Sequence, residues 1–211
     1  MAAGRNAPSD DAKRGIGALV SERPLVLASA SERRRVLLAS LGVPFDVLPA
    51  DIDESARPGE SGRDCALRLA REKAAAVASR LGAGTVVAAD TVVSLGERII
   101  GKPRDEADAR AILRALSGTE HAVVTGVAVR RVVAGREAAR VASAAVTMRR
   151  LSDAEIGAYV ASGEAMGKAG AYAVQETGDR FVAALRGDFD TVVGLPMRLV
   201  RELLREVEAG R

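Results

Sequence analysis

From Pro24 onward the chain alternates short apolar blocks with amphipathic stretches. Leu25-Val26-Leu27-Ala28 is an uninterrupted apolar run that predicts a buried strand, and Ser29-Ala30-Ser31 turns it into a helix from Glu32 to about Leu41, closed by Gly42. Phe45 to Leu48 reads as a second strand. An acidic loop, Asp51-Ile52-Asp53-Glu54, leads to a long helix that opens at a capping box of Ser61 and Asp64 and stops at Gly82. Thr85 to Ala89 is continuously apolar up to Asp90, the pattern of a strand covered on both faces and ending at that carboxylate.

Arg98-Ile99-Ile100 pairs back after a Gly96-Glu97 turn, and a helix follows from Asp105 to Leu116, ended by Gly118. Two Val-rich runs, Ala122 to Val133 and Glu137 to Met148, flank Ala134-Gly135-Arg136 as a β-hairpin. Ser152 and Glu155 open a further helix that Gly163 stops. Phe181 to Leu185 and Thr191-Val192-Val193 look strand-like. The last helix starts at Pro196 and carries the stripe Leu199, Val200, Leu203, Leu204, Val207. Strands alternating with helices, plus an antiparallel hairpin, indicate an α/β protein with a mixed sheet. Ligands of such sheets bind beyond the carboxyl ends of strands, where Ser29, Ser31 and Asp90 stand.

Composition narrows the function. The net charge is only +3, with 31 basic against 28 acidic residues, and the few aromatics offer no stacking platform, so a nucleic-acid partner is excluded. Apolar runs reach about ten residues, short of the ~20 that span a bilayer. Met1 to Arg23 lacks the apolar block of a secretory signal. The expectation is a cytoplasmic protein with a disordered tail over 1–23 and one domain over 24–211. Only four basic residues are lysine, Lys13, Lys73, Lys102 and Lys168, which singles out positions that need a compact ammonium.

Candidate chemistry lies at the strand ends. Ser29 and Ser31 with Arg33 and Arg34 combine hydroxyls, a helix N-terminus and two guanidinium groups, a set suited to a polyphosphate. Glu54 and Asp90 are the oxygen donors that a hard divalent cation such as Mg²⁺ or Mn²⁺ takes alongside substrate phosphates, and either one can serve as general base for water. Lys102, in Gly101-Lys102-Pro103, occupies a tight turn from which it can neutralise phosphate. On spacing alone Lys73 belongs to a solvated helix face. His121 reads as a structural histidine, and Cys65, alone and mid-helix, has no signature of a nucleophile.

Taken together, Leu27-Ala28-Ser29-Ala30-Ser31-Glu32-Arg33-Arg34, Asp53-Glu54, Arg71-Glu72-Lys73-Ala74, Ala89-Asp90-Thr91-Val92-Val93, Gly101-Lys102-Pro103, Leu116-Ser117-Gly118 with His121 and Thr125-Gly126-Val127, Lys168 to Tyr172, and Val193-Gly194-Leu195-Pro196 resemble the Maf family of nucleoside triphosphate pyrophosphatases, in family order. The resemblance implies a two-lobed, inosine-triphosphatase-like α/β architecture with a central cleft. It implies hydrolysis of a nucleoside triphosphate to monophosphate and pyrophosphate with a divalent metal. Asp90 would be catalytic, Glu54 its partner toward metal or water, and Ser29, Ser31, Arg33, Arg34, Lys73 and Lys102 would hold the triphosphate. Arg33, Thr91 and Gln175 match the branch acting on dTTP and UTP rather than that acting on 7-methylguanosine triphosphate, and so bear on base specificity. A homodimer follows by the same analogy, as do two alternative readings: a nucleotide-binding regulator of cell division or septum formation with weak hydrolysis, or a 7-methyl-GTP-type pyrophosphatase. Three stretches depart from the family pattern: Gly167 in place of Asp, Glu176 in place of Gly, and Asp188-Phe189-Asp190-Thr191 in place of a Ser- and Asn-containing segment.

Overall fold

The computed structural model describes residues 24–174 and 177–209, so the N-terminal tail, Gln175 and Glu176 lie outside the described residues. Seven strands form one continuous mixed sheet: β1 (Leu25–Leu27), β2 (Phe45–Val47), β3 (Thr85–Leu95), β4 (Arg98–Ile100), β5 (Glu120–Arg131), β6 (Arg136–Met148) and β7 (Val182–Arg186). Their order is β2-β1-β3-β5-β6-β7, with β4 also on β3. The β2, β1 and β3 strands run parallel, and every other pairing is antiparallel. The described residues also form six α-helices, α1 (Glu32–Ala39), α2 (Gly62–Ala78), α3 (Glu106–Leu116), α4 (Asp153–Ala161), α5 (Phe189–Val193) and α6 (Met197–Ala209), and two short 3-10 helices. Among the described residues no helix is long and apolar enough to cross a membrane.

Both faces of the parallel half are covered, which is why its strands read as unbroken apolar runs. Leu25 and Leu27 of β1 pack with Val87, Ala89 and the α6 stripe, whereas Val26 and Ala28 face Ala70, Ala74 and Val77 of α2. Burying the five stripe residues of α6 supplies on the order of 10 kcal/mol before chain entropy is set against it. A separate cluster at the other end joins α3 and α4 to Val123, Val146, Met148 and Phe181.

Local signals place most helix ends. Ser152 and Glu155 form a reciprocal capping box on α4. At α2 only half of the expected box forms: Ser61 Oγ accepts from the Asp64 N–H, but the Asp64 carboxylate bonds the Ser61 hydroxyl instead of its backbone N–H. Two expectations need correction. Thr191-Val192-Val193 is helical, the end of α5, because Asp188 takes extended N-cap geometry and Gly194 ends the turn in the left-handed region at φ 114°. The β-branched residues follow that local closure rather than their strand preference.

The second correction bears on the site. Asp90 does not end β3, which runs on to Leu95. It lies beyond a strand end all the same, because β1 stops at Leu27 opposite Val87, whereas β4 joins β3 only from Val93. Since β5 occupies the other edge from Thr85 to Ser94, the β3 stretch between Val87 and Val93 has a strand on one flank only. The notch so formed, at the carboxyl end of β1, is the crevice that the alternating topology anticipates.

Candidate active site

A cavity of about 540 Å³ opens over that notch, within the size range of small-molecule sites. Its walls bring together Ser29, Ser31, Arg33 and Arg34 from the β1–α1 junction, Glu54 from the loop after β2, Lys73 from α2, Asp90 and Thr91 from β3, and Lys102 from the turn after β4. All the described residues expected to form a site therefore converge. Gln175 lies outside the described residues.

Lys73 is at the centre. Far from a solvated face, it is 5% exposed, and its Nζ lies 2.6 Å from Asp90 Oδ1 and 2.6 Å from Glu54 Oε1. Two such contacts to one nitrogen put the carboxylate oxygens at most about 5 Å apart. Lys102 Nζ takes the other Glu54 oxygen at 2.5 Å. Burial would raise the Glu54 pKa, but hydrogen bonds from Lys102 and Lys73 outweigh it and hold the carboxyl at about 2. Five cationic side chains (Arg33, Arg34, Lys73, Lys102, Lys168) and three carboxylates (Glu32, Glu54, Asp90) line the cavity, an excess of two positive charges that favours a polyanion.

The helix α2 reaches Asp90 because nothing stands between it and the sheet. Ala66, Ala70, Lys73 and Ala74 recur on its buried face, and small residues allow close approach. Gly126 of β5, the cross-strand neighbour of Asp90, faces the α2 backbone so closely that a Cβ there would lie 2.1 Å from the Ala66 carbonyl oxygen. Arg68, one turn earlier on α2, fixes the loop bearing Glu54: it bonds Glu60 at 2.6 and 2.7 Å and donates to the Ser55 carbonyl at 3.0 Å.

Arg34 plays a different part from Arg33. Its Nε donates to the Gly194 carbonyl at 2.8 Å, Nη1 to Ser29 Oγ at 3.2 Å and Nη2 to Thr91 Oγ1 at 3.0 Å, so the guanidinium stitches α1 to β3 and to the end of α5. Burial pulls its pKa down, opposed by Asp90 and Glu54. Thr91 is in turn bonded to Thr125 at 2.9 Å, and Thr125 donates to the Thr191 carbonyl at 2.7 Å. Thr91 thus touches the cavity while its hydroxyl positions Arg34. Ser31 caps α1 through the Arg34 N–H at 3.4 Å, and Ser29 Oγ accepts from the Ser31 N–H at 3.2 Å.

His121 is structural, as its sequence context suggests. It is buried, its Nε2 lies 2.6 Å from the Tyr172 hydroxyl, and Tyr172 forms a cavity wall. Burial pushes its pKa down to about 4, so the imidazole stays neutral in the fold while the unfolded chain takes up a proton near 6.5. Stability on this account is complete above pH 6.5 and declines as pH falls toward 4. Between pH 6.5 and 5 the wild type is expected to lose roughly 1.5 kcal/mol through this group. Urea titrations at the two pH values should show that loss, and His121→Gln should flatten it; an equal slope in the variant refutes the assignment. Cys65 is buried and its thiol is pushed up to about 11, first by burial, which keeps it protonated and inert.

The departures from the family pattern separate spatially. Asp188 and Asp190 line a different, shallow depression with Phe189 and Arg198, away from the cations of the main cavity. Burial, then Asp188, raises the Asp190 pKa. Gly167 lines the main cavity at φ 72°, a backbone setting in which an Asp would be strained. Glu176 lies outside the described residues.

Gly126, Arg68, Thr125 and Gly194 support the site without having been assigned roles from the sequence. Gly126 carried a usable signal, because a glycine inside a Val-rich strand marks close backbone approach. Gly194 carried one as well, sitting between a β-branched run and Leu195-Pro196. Thr125 is bonded to Thr91 and Thr191, 34 and 66 residues away, and Arg68 reaches back 8 and 13 residues to Glu60 and Ser55 across a loop, pairings that residue types alone do not give.

This fold and this arrangement of cations around paired carboxylates accord with a family-wide sequence match: the Maf-like protein model matches residues 24–207, and the chain belongs to that family. A protein from Anaeromyxobacter dehalogenans (strain 2CP-C), named dTTP/UTP pyrophosphatase, is 54% identical over 183 residues, covering 86% of this chain and 92% of that one. A protein of the same name from Hyphomonas neptunium is 52% identical over 182 residues, covering 86% and 94%. A third, from Myxococcus xanthus, is 52% identical over 174 residues, covering 82% and 87%.

Proposed function

We propose that this protein hydrolyses dTTP and UTP to the monophosphate and pyrophosphate. The observation that carries the reading is the meeting of Asp90, Glu54 and Lys73 within hydrogen-bonding distance inside a cavity that also presents Arg33, Arg34, Lys102 and Lys168, in a chain whose relatives are named for that activity. The helix α1 N-terminus with Ser29 and Ser31, together with Arg33, Lys102 and Lys73, binds the phosphoryl groups. Arg34, held by Gly194 and Thr91, sets the geometry of that junction and adds charge. Asp90 accepts the proton of the attacking water. The bond from the α-phosphorus to its bridging oxygen then breaks as the new one forms, and the cations take up the charge that passes to pyrophosphate. Gln175 and Arg33 are assigned to the base.

Among the described residues no group of three or more His, Cys, Asp or Glu forms a protein-only metal cage. Two carboxylates at one cation position nevertheless fit Mg²⁺ or Mn²⁺, which usually keep one or two protein carboxylates and complete their shell with phosphates and water. Glu54 and Asp90 would hold the ion, which when bound supplies charge stabilisation at the phosphoryl oxygens. The same reading carries a cytoplasmic homodimer.

Pyrophosphate release from dTTP, UTP, CTP, GTP and 7-methyl-GTP, each with Mg²⁺ and with Mn²⁺, tests the reading. Fastest release from dTTP and UTP is expected; preference for a purine, or release of orthophosphate instead, overturns it. Lys102→Ala should lower turnover 10- to 100-fold. Its side chain is 56% exposed and makes one ion pair, so stability should change by no more than about 0.5 kcal/mol. Comparable unfolding would show that the lysine is structural.

A further inference from the structure

Among the described residues of the cavity, Lys73 alone forms ion pairs with both carboxylates the proposed reaction needs, and it does so from a nearly buried position. Its ammonium lies where a cation shared by Asp90 and Glu54 belongs. A small divalent ion needs oxygen contacts of about 2.0–2.1 Å, and it cannot take that position while the ammonium bridges the same pair. Charge works in the same direction. Lys73 and Lys102 together neutralise the two carboxylates, and the arginines leave the cavity positive, so a free divalent ion is not attracted to the nucleotide-free protein. A triphosphate reverses the sign. The lysine stem is flexible, with four carbons between backbone and charge, so Nζ can turn toward phosphoryl oxygens without any movement of α2.

We propose that Lys73 is a built-in counter-ion holding the divalent site closed until a triphosphate draws its ammonium away, so that the ion enters with or after the nucleotide. The inference rests on the pyrophosphatase reading and adds an order of binding to it. By linkage, nucleotide must tighten the ion by the same factor as the ion tightens nucleotide.

The test follows Mn²⁺ binding to the full-length protein by the paramagnetic resonance signal of the free ion, without nucleotide. Wild type is expected to bind weakly, and Lys73→Met and Lys73→Gln at least fivefold more tightly. A smaller gain in a folded variant overturns the inference. So does wild-type protein that alone binds Mn²⁺ as tightly as it does with nucleotide, a result that decides the matter even if neither variant folds. Addition of the non-hydrolysable α,β-methylene analogue of dTTP separates the two levels, with water proton relaxation reporting the ternary complex. If the analogue tightens Mn²⁺ by the same factor in wild type and variants, displacement by Lys73 is refuted while the pyrophosphatase reading stands. If it draws Mn²⁺ into neither, the metal-assisted reading fails as well.

Discussion

Asp90→Asn is expected to slow pyrophosphate release from dTTP and UTP by about three orders of magnitude while the protein remains folded. Amide and carboxylate have the same shape, so the β3 backbone and its pairing with β5 persist. What is lost is the proton acceptor, worth roughly 10²–10⁴ in rate, and one negative charge beside the phosphoryl group. Stability should fall less than the several kcal/mol typical of a broken buried ion pair, because Lys73 keeps Glu54 as a partner at 2.6 Å. Steady-state rates at saturating nucleotide, with thermal unfolding of both proteins, check this. If wild type and variant release pyrophosphate equally slowly, hydrolysis is incidental, and a nucleotide-binding regulator becomes the better description.

Gly126→Ala should have the largest effect on stability, about 3 kcal/mol, although it adds a single methyl group. The new Cβ would lie 2.1 Å from the Ala66 carbonyl oxygen and 2.4 Å from its carbon, both backbone atoms that no rotamer change can remove. Either α2 lifts away from β5 or the strand bends, and overpacking of this kind costs 1–3 kcal/mol and occasionally more. Lys73 rides on the same helix, two turns from Ala66, so the lift also draws Nζ from Asp90 and turnover should drop along with stability. Denaturant midpoints and turnover measured on the same preparation provide the check. A variant as stable as wild type would mean that α2 does not sit on the sheet as described.

The helices and strands were largely legible because their signals are local. Ser31 and Ser152 act within a few residues of themselves, and the α6 stripe is a one-dimensional pattern. The site residues were legible as a set, since strand ends followed by polar residues collect at one edge of an α/β sheet. How they pair was not. Helical spacing puts Lys73 on some face of α2, but only the close contact of Ala66 with Gly126 shows that this face is the buried one. Arg34 illustrates the same limit. Its position one turn into α1 suggests a phosphate ligand, whereas the partners that hold it, Gly194 and Thr91, come from parts of the chain 160 and 57 residues away. Thr191-Val192-Val193 misleads for the converse reason: β-branched composition is a weak preference, and a five-residue turn closed by a left-handed glycine overrides it.

The interruption on one flank of β3 also bears on how the protein avoids edge-to-edge aggregation. An unpaired strand margin at the rim of a sheet invites another chain to dock along it, and proteins blunt such margins with charge or cover. Here the bare margin spans only residues 88–92, shut in by β1 at one end and β4 at the other. A second polypeptide would have to thread into so short a slot, whereas a small metabolite fits it. The chain can therefore interrupt its sheet beside the cavity without offering a template for aggregation.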